Sequence, residues 1–502
     1  MRGIALRYVF LTSRLDAEHG GLTASLLRKA GVLARLRGIY PVIATFHDAA
    51  GFGEVAAAVR ERYDLPCGVG LVNINHYYRG AAAAPGAPKV AEAITELCRD
   101  LPTYEVREVH DPSGAPYAAT ITVAGRAVGR LWCRPDGSVF QYRPVGAAPP
   151  GGPYPKAEVV LAPLTGAARA FRTLDGFRRH FMAELSAGEL TYLVCEARAL
   201  DGVLLSLENR LARKIFVFHS IHERPGSSVI RTGNRAVLNN LPGVDALVVL
   251  TPQQKADVVD RFGFEDRLHV IPHAITPAPP APDTVPGKLV MVARLSEEKN
   301  VASAIAALGA VRQARPDAQL EVWGHGPLES DLKAFAGSLN LAEAVNFAGY
   351  TNSARAVFGT AECSLLTSRW EGFSLTIMES MAAGTPCIAY DTKYGPAAMI
   401  LDGVNGHLVE PGNQAELARR IIEYLDSPAS AKRAMSANAA ARMTEFSEER
   451  LAERWSALFL SLAKPVRSRP PLAKRAWRRI PDGVRNRIAR VLLPGSVPAG
   501  GS

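Results

Sequence analysis

The chain opens with a short apolar run, "IALRYVFL", followed by a loop carrying Gly20 and Gly21. In "LTASLLRKAGVLARL" the apolar positions then recur at helical spacing, and "YPVIATF" is a second apolar run. This order predicts strand, loop, helix, strand, the start of a parallel doubly wound sheet. From about Val69 to Gly188 the pattern changes to short alternating runs such as "YAATITVAGRAVGRLWC", broken by Asp-Pro-Ser-Gly and Pro-Asp-Gly turns. That spacing predicts an antiparallel meander inserted into the first domain. The α/β pattern resumes with "LTYLVCEA", "KIFVFHSIH" and "VDALVVLT". A Pro-rich stretch, "ITPAPPAPDTVPG", then separates it from a second series of strands: "KLVMVARL", "LEVWG", "VNFAG", "CSLLTS" and "PCIAY".

The expected fold class is α/β: two doubly wound, Rossmann-like domains facing a cleft, with an antiparallel β-rich insertion in the first. The expected limits are 1–68 with 189–275 for the first domain, 69–188 for the insertion and 276–287 for the linker. The second domain takes 288–445, a terminal amphipathic helix 446–463 and a basic tail 464–502.

Composition narrows the class. The 502 residues exceed one ordinary core, and 48% apolar with 21% charged residues fits a globular chain. The six cysteines lie far apart with no Cys-x-x-Cys pair, which argues against zinc and a disulfide scaffold and fits a reducing compartment. The first residues read as a strand and not as a signal peptide, and no apolar run reaches the ~20 residues of a membrane span. A cytoplasmic location is expected. Nearly all of the net charge of +10 sits from Lys464 onward, where ten Lys and Arg face Asp482 alone. Within that tail "VRNRIARVLL" sets Val484, Ile488, Val491 and Leu492 at helical spacing among arginines. This is the pattern of a segment that attaches to an anionic membrane surface, against a plain solvated tail. Nucleic acid is disfavoured as a partner, since the tail has only Trp477 for stacking.

The candidate chemistry lies in "EGFSLTIMES". On one helix, Glu371 and Glu379 would sit about 12 Å apart along the axis and about 80° apart around it. Neither value suits the ~5–5.5 Å or ~6.5–9.5 Å of a hydrolytic carboxylate pair. Ser374 is a candidate N-cap for a helix starting at Leu375, and Gly384 and Pro386 end it. Glu371, Gly372, Phe373 and Ser374 then precede a helix N-terminus, which favours phosphate, while Glu379 lies within the helix. From spacing alone, two surface carboxylates flanking an ordinary helix fit equally well. In "VARLSEEKN", Arg294 and Lys299 on a strand-to-helix loop suit a diphosphate leaving group. The alternative is a solvated loop neutralised by Glu297 and Glu298. The chain has no Asp-x-Asp, so no metal site is expected.

With Arg294, Lys299, Glu371 and Glu379 in this arrangement, the second domain resembles that of retaining GT-B glycosyltransferases of family 4. "YDTKYGPAAMILDGVNGHLVEPG", the N-terminal "EHGGLT" and the β-rich insertion narrow this further. They resemble the poly(glycerol-phosphate) and poly(ribitol-phosphate) α-glycosyltransferases that decorate wall teichoic acid, a layout shared with transferases that modify serine-rich adhesins. The resemblance implies that Glu371 contacts the donor sugar, Glu379 the ribose, and Arg294 and Lys299 the departing diphosphate. Gly20 and Gly21 would let backbone approach the donor phosphates and the acceptor. His219 or His222, with His219 preferred at the strand end, would face the donor sugar. The expected co-substrate is UDP-glucose or UDP-N-acetylglucosamine, with no separate cofactor, and the expected acceptor is a polymer of the cell envelope. The insertion would mediate homo-oligomer formation. Ala397 and Ala398 depart from the family, which commonly has a small polar residue and an acid there. A protein or other glycan acceptor, and a catalytically silent GT-B partner protein, are the alternative readings. The silent reading is disfavoured because all four clamp residues are present.

Overall fold

A computed structural model describes residues 6–15, 21–80, 87–99, 103–144, 159–161, 169–276 and 284–463. The basic tail and Gly20 lie outside the described residues. The chain begins with β1 (Leu6–Thr12), β2 (Val42–Thr45) and β3 (Gly70–Asn73), which pair in parallel. The β3 strand falls inside the limits expected for the insertion. Its pairing with β2 corrects that boundary: a short strand before a meander carries no local sign of which sheet it joins.

The insertion holds β4 (Glu105–His110), β5 (Pro116–Val123), β6 (Arg126–Cys133), β7 (Val139–Pro144), β8 (Val159–Leu161) and β9 (Arg169–Phe171). They form one antiparallel sheet in sequential order. One face buries Ile121 and Leu131 against the helix Val90–Leu97. The other sends Ala118, Trp132 and Phe140 into the core that also holds Val9, Leu193 and Phe216. Asp48 joins the two units, accepting from Tyr117 Oη at 2.8 Å and Trp132 Nε1 at 3.1 Å and pairing with Arg130.

The first sheet is completed by β10 (Leu190–Cys195), β11 (Ala212–Val217), β12 (Ala246–Val249) and β13 (Leu268–Val270), in the order β13-β12-β11-β10-β1-β2-β3. Every residue of β10 and β12 is buried, as befits parallel strands covered on both faces. The second sheet comprises β14 (Val285–Val292), β15 (Gln319–Trp323), β16 (Val345–Gly349), β17 (Ala361–Leu366), β18 (Cys387–Tyr390) and β19 (Gly406–Val409). Their order is β16-β15-β14-β17-β18-β19, all parallel. The β14 strand starts inside the expected linker.

The helix Glu448–Leu462 follows the second domain in sequence but packs on the first. Trp455 meets Phe10, Tyr192 Oη donates to the Phe459 carbonyl at 2.7 Å, and Arg213 Nε donates to that of Leu462 at 2.9 Å. Among the described residues no helix is long and apolar enough to cross a membrane.

Each parallel sheet reverses its strand order once, between β1 and β10 in the first and between β14 and β17 in the second. In doubly wound sheets ligands bind beyond the strand carboxyl ends at such a reversal. The loops after these strands bound the cleft.

Candidate active site

From the second domain, the loop after β14 brings Arg294 and Lys299, and the loop after β17 brings Glu371 to Ser374. Thr367 Oγ1 donates to the Asn300 carbonyl at 2.9 Å and the Arg369 amide to that of Glu298 at 2.8 Å, tying the loops together. Lys299 Nζ then lies 2.7 Å from Glu371 Oε1. Glu371 is buried, and its backbone is fixed by its own amide on the Lys393 carbonyl (2.8 Å) and by the Tyr394 amide on its carbonyl (2.7 Å). Arg294 is exposed, with no ion-pair partner among the described residues, and lines the same cavity.

The helix Leu375–Ala382 starts at the expected residue, and Gly384 follows its end at φ +77°. The expected cap is corrected. Ser374 has φ 77° and ψ 92°, makes no cap hydrogen bond, and shares a 3.0 Å contact with Thr376 Oγ1 instead. A capping residue needs extended backbone to turn its oxygen onto the helix amides; positive φ aims it elsewhere. The helix start keeps those amides for a ligand. A non-glycine residue at positive φ stores strain, which clusters at functional sites.

Gly372 sits where the domains touch. A Cβ there would stand 2.1 Å from the His219 carbonyl oxygen and 2.7 Å from Ser220 Cα. Gly395 is equally confined, with a Cβ falling 1.9 Å from the Phe373 carbonyl oxygen. Only glycine lets these backbones pass.

The first domain contributes residues that the sequence reading does not single out. Glu196, at the end of β10, has a fully buried side chain. It pairs with Lys29 of the helix Gly21–Arg37, and His219 Nε2 lies 2.5 Å from its other oxygen. Lys29 Nζ also sits over the Trp455 ring, 4.6 Å from its centre. His273, after β13, stacks on His219 at 5.5 Å, contacts Ser25 Oγ at 2.6 Å and meets the Phe373 ring edge-on. Burial alone would push the Glu196 carboxyl up, but the charge of Lys29 and the hydrogen bonds from His219 and Lys29 hold it below the ordinary range. Burial pushes His219 down despite Glu196, and pushes His273 down to about 3 with help from His219 and Lys29. Both rings are therefore neutral near pH 7.

His219 and His273 line the cavity with Arg294, Lys299 and Glu371. Glu379 lies in the adjoining cavity with Arg28, Lys29 and Trp455, and both cavities share His219, His273 and Leu375. Burial raises the Glu379 carboxyl, opposed by Arg28 and Arg355. His222 sits apart: it is fully buried, stacked on Tyr394 at 5.8 Å. Gly21 opens the helix that carries Ser25 and Lys29. The signal for Glu196 was an acid following the mostly apolar strand "LTYLVC"; that for His273 was a histidine closing "HVIPH".

Residues 276–442 match the family described as Glycosyl transferases group 1. The chain is 26% identical over 270 residues to a poly(glycerol-phosphate) alpha-glucosyltransferase of Bacillus subtilis, covering 53% of this chain and 40% of that one. It is 22% identical over 271 residues to a poly(ribitol-phosphate) alpha-N-acetylglucosaminyltransferase of Staphylococcus aureus, covering 54% and 55%. The matched stretch thus spans about half the length of these curated relatives. Among solved structures, a mutant of S. aureus TarM in complex with fondaparinux, alpha-GlcNAc-glycerol and UDP superposes with a TM-score of 0.70 at 17% identity. That match covers 90% of this chain and 99% of the TarM chain. The chain therefore carries a glycosyl transferases group 1 domain, set in the two-domain GT-B fold.

Proposed function

We propose that this protein is a retaining glycosyltransferase that moves a hexose or N-acetylhexosamine from a UDP-sugar to a polyol-phosphate polymer of the cell envelope. The observation that carries the proposal is the Lys299–Glu371 pair, set beside Arg294 at an uncapped helix start in one interdomain cavity. Arg294, Lys299 and the amides at Leu375 and Thr376 form a positive wall for a departing diphosphate. Lys299 also holds Glu371 toward the sugar. Glu379, one helix turn further in, takes the ribose hydroxyls. His219, neutral and fixed by Glu196, faces the sugar from the first domain. As the bond from the anomeric carbon to the diphosphate breaks, the acceptor oxygen bonds to that carbon on the same face. Its proton passes to the departing phosphate oxygen. With cations on the protein taking the leaving-group charge, the reaction proceeds without a metal ion in this proposal.

The acceptor belongs to the same reading, supported by the relatives' names and the insertion beside the first domain. Self-association through the insertion has a candidate surface in β4, an edge strand that exposes Val106 beside Tyr104. Attachment of the tail to a membrane at the cytoplasmic face is tested by comparing lipid binding of the full chain with a truncation ending near Ala463.

The deciding experiment follows nucleotide release and sugar transfer from a panel of UDP-sugars, with a chelator present, with and without poly(glycerol phosphate) or poly(ribitol phosphate). One donor is expected to be consumed faster when polymer is added. If no donor is consumed and Glu371→Ala behaves like the parent chain, the proposal fails.

A further inference from the structure

After β12 the sequence "TPQQKADVVDRF" forms the helix Pro252–Phe262 of the first domain. Thr251 Oγ1 caps it by accepting from the Gln254 amide at 3.1 Å, and proline fills the first turn. Gln254 and Asp257, three residues apart, share one face of this helix. Gln254 is fully buried, and its Nε2 donates to the Ser220 carbonyl at 2.9 Å. Ser220 follows His219, and both lie against Gly372. One turn on, Asp257 Oδ2 accepts from Tyr394 Oη at 2.9 Å and pairs with Lys393 Nζ at 2.6 Å, both from the second domain. The two contacts are unequal. Lys393 is more than half exposed, where water screens an ion pair. Tyr394 is buried and stacks on His222 with 6° between the rings. Burial, with Asp257 beside it, pushes the Tyr394 hydroxyl up, so it keeps its proton and donates.

Lys393 and Tyr394 are also the residues that hold the Glu371 backbone, through the Lys393 carbonyl and the Tyr394 amide. Thr392 Oγ1 adds a 2.7 Å bond to the Arg369 carbonyl. One helix therefore grips both sides of the cleft. Gln254 holds the loop that carries His219, and Asp257 holds the segment that clamps Glu371. The bond from Tyr394 to Asp257 has a narrow range of length, so it fixes a separation that apolar contact alone would let slide. We propose that Asp257 and Tyr394 are positioning residues for the transfer reaction, through which this helix sets Glu371 against His219 across the cleft. The reaction itself rests on the proposed function above. Neither residue lines the cavity that holds Arg294, Lys299 and Glu371, so they act through Glu371 and not on the substrate.

The test compares the full-length chain with Asp257→Ala, Tyr394→Phe and the double variant, and with Lys255→Ala as a control on the same helix. UDP affinity, kcat for sugar transfer and amide hydrogen exchange over residues 369–374 are measured on each. Each single variant is expected to lower kcat about tenfold. The double variant lowers it no further, because the same contact is lost each time. UDP affinity, which the second domain supplies, stays that of the parent, and exchange over 369–374 speeds up. Asp257→Asn, which keeps an acceptor oxygen, recovers most of the lost kcat, and the Lys255→Ala control matches the parent. A kcat unchanged in the single variants, or losses that multiply in the double variant, would overturn the positioning role and leave the proposed function standing. A lower Tm with kcat and exchange unchanged would do the same, since that marks a merely structural contact. If the parent transfers sugar from no donor, the proposed function fails and hydrogen exchange decides. Faster exchange in the variants then upholds the link to Glu371, and unchanged exchange sinks it as well. Should Asp257→Ala unfold, Tyr394→Phe, which keeps the ring on His222, carries the comparison alone.

Discussion

Lys299 and Glu371 are 72 residues apart in sequence, yet the Lys299 ammonium lies 2.7 Å from the Glu371 carboxylate. Each leaves a strand flanking the same reversal of the second sheet. Removing either charge strands the other in a partly buried place. Lys299→Ala and Glu371→Gln are each expected to lower kcat by about 10²–10³-fold. The double variant should lose much less than the product of the two, because the residues act as one unit. Steady-state kinetics of the four proteins check this, and multiplicative losses would contradict a shared role.

Burial is expected to set the pH dependence of activity. It lowers both His219 and His273 from an ordinary value near 6.5, His273 to about 3. Protonation then occurs only below the ordinary imidazole range. With decreasing pH, kcat/KM is expected to hold its pH 8 value past 6.5 and to fall only in more acidic buffer. A pH–rate profile with an acidic limb centred at or above 6.5 would count against neutral histidines at this site.

At Gly372 the backbones of the two domains lie against each other. Gly372→Ala is expected to push the His219–Ser220 backbone away, since the added carbon would stand 2.1 Å from a carbonyl oxygen. The cost is about 1–3 kcal/mol of stability, seen as a lower Tm, together with a drop in kcat as His219 shifts from Lys299 and Glu371. A variant that melts and turns over like the parent would show that the domains do not work at this separation.

Asp201 offers a pH-dependent stability test away from the cleft. Its side chain is buried; burial raises the carboxyl from 3.8 to about 6, against the lowering influence of Arg198. The folded chain therefore holds this proton more tightly than the unfolded chain between these values. The resulting stability is fully present below pH 4 and is lost as pH rises through 6. Asp201→Asn is expected to match the parent near pH 4 and to exceed it by about 1–2 kcal/mol at pH 7 and above. Thermal melts across pH 4–8 measure it, and a gain confined to the acid side would reverse the argument.

Much of the site could be read because parallel doubly wound sheets send all their strand ends one way. Arg294 and Lys299 after "KLVMV", and Glu371 after "CSLLTS", had to emerge at the same edge. Glu196 and Lys29 were harder. A single acid after an apolar strand and a single lysine in a helix have no distinctive spacing. They gain meaning only when β10 is placed beside β1 and buries one against the other. The cap at Ser374 misled because serine before a helix usually has extended backbone, whereas here the loop forces positive φ.

By itself the sequence determined the elements, the two α/β domains, the meander between them and the loops that bear charge. Periodicity and turn chemistry are local, and short-range sterics and burial patterns are enough to set them. The tertiary structure alone decided that β3 belongs to the first sheet and that the helix Glu448–Leu462 returns to the first domain. It also decided that His219 lines the cleft while His222, three residues on, is packed away against Tyr394. Those outcomes depend on which distant surfaces bury one another, as when Tyr192 finds the carbonyl of Phe459 across 267 residues. Such pairings are settled by packing over the whole fold, and no local stretch of chain encodes them.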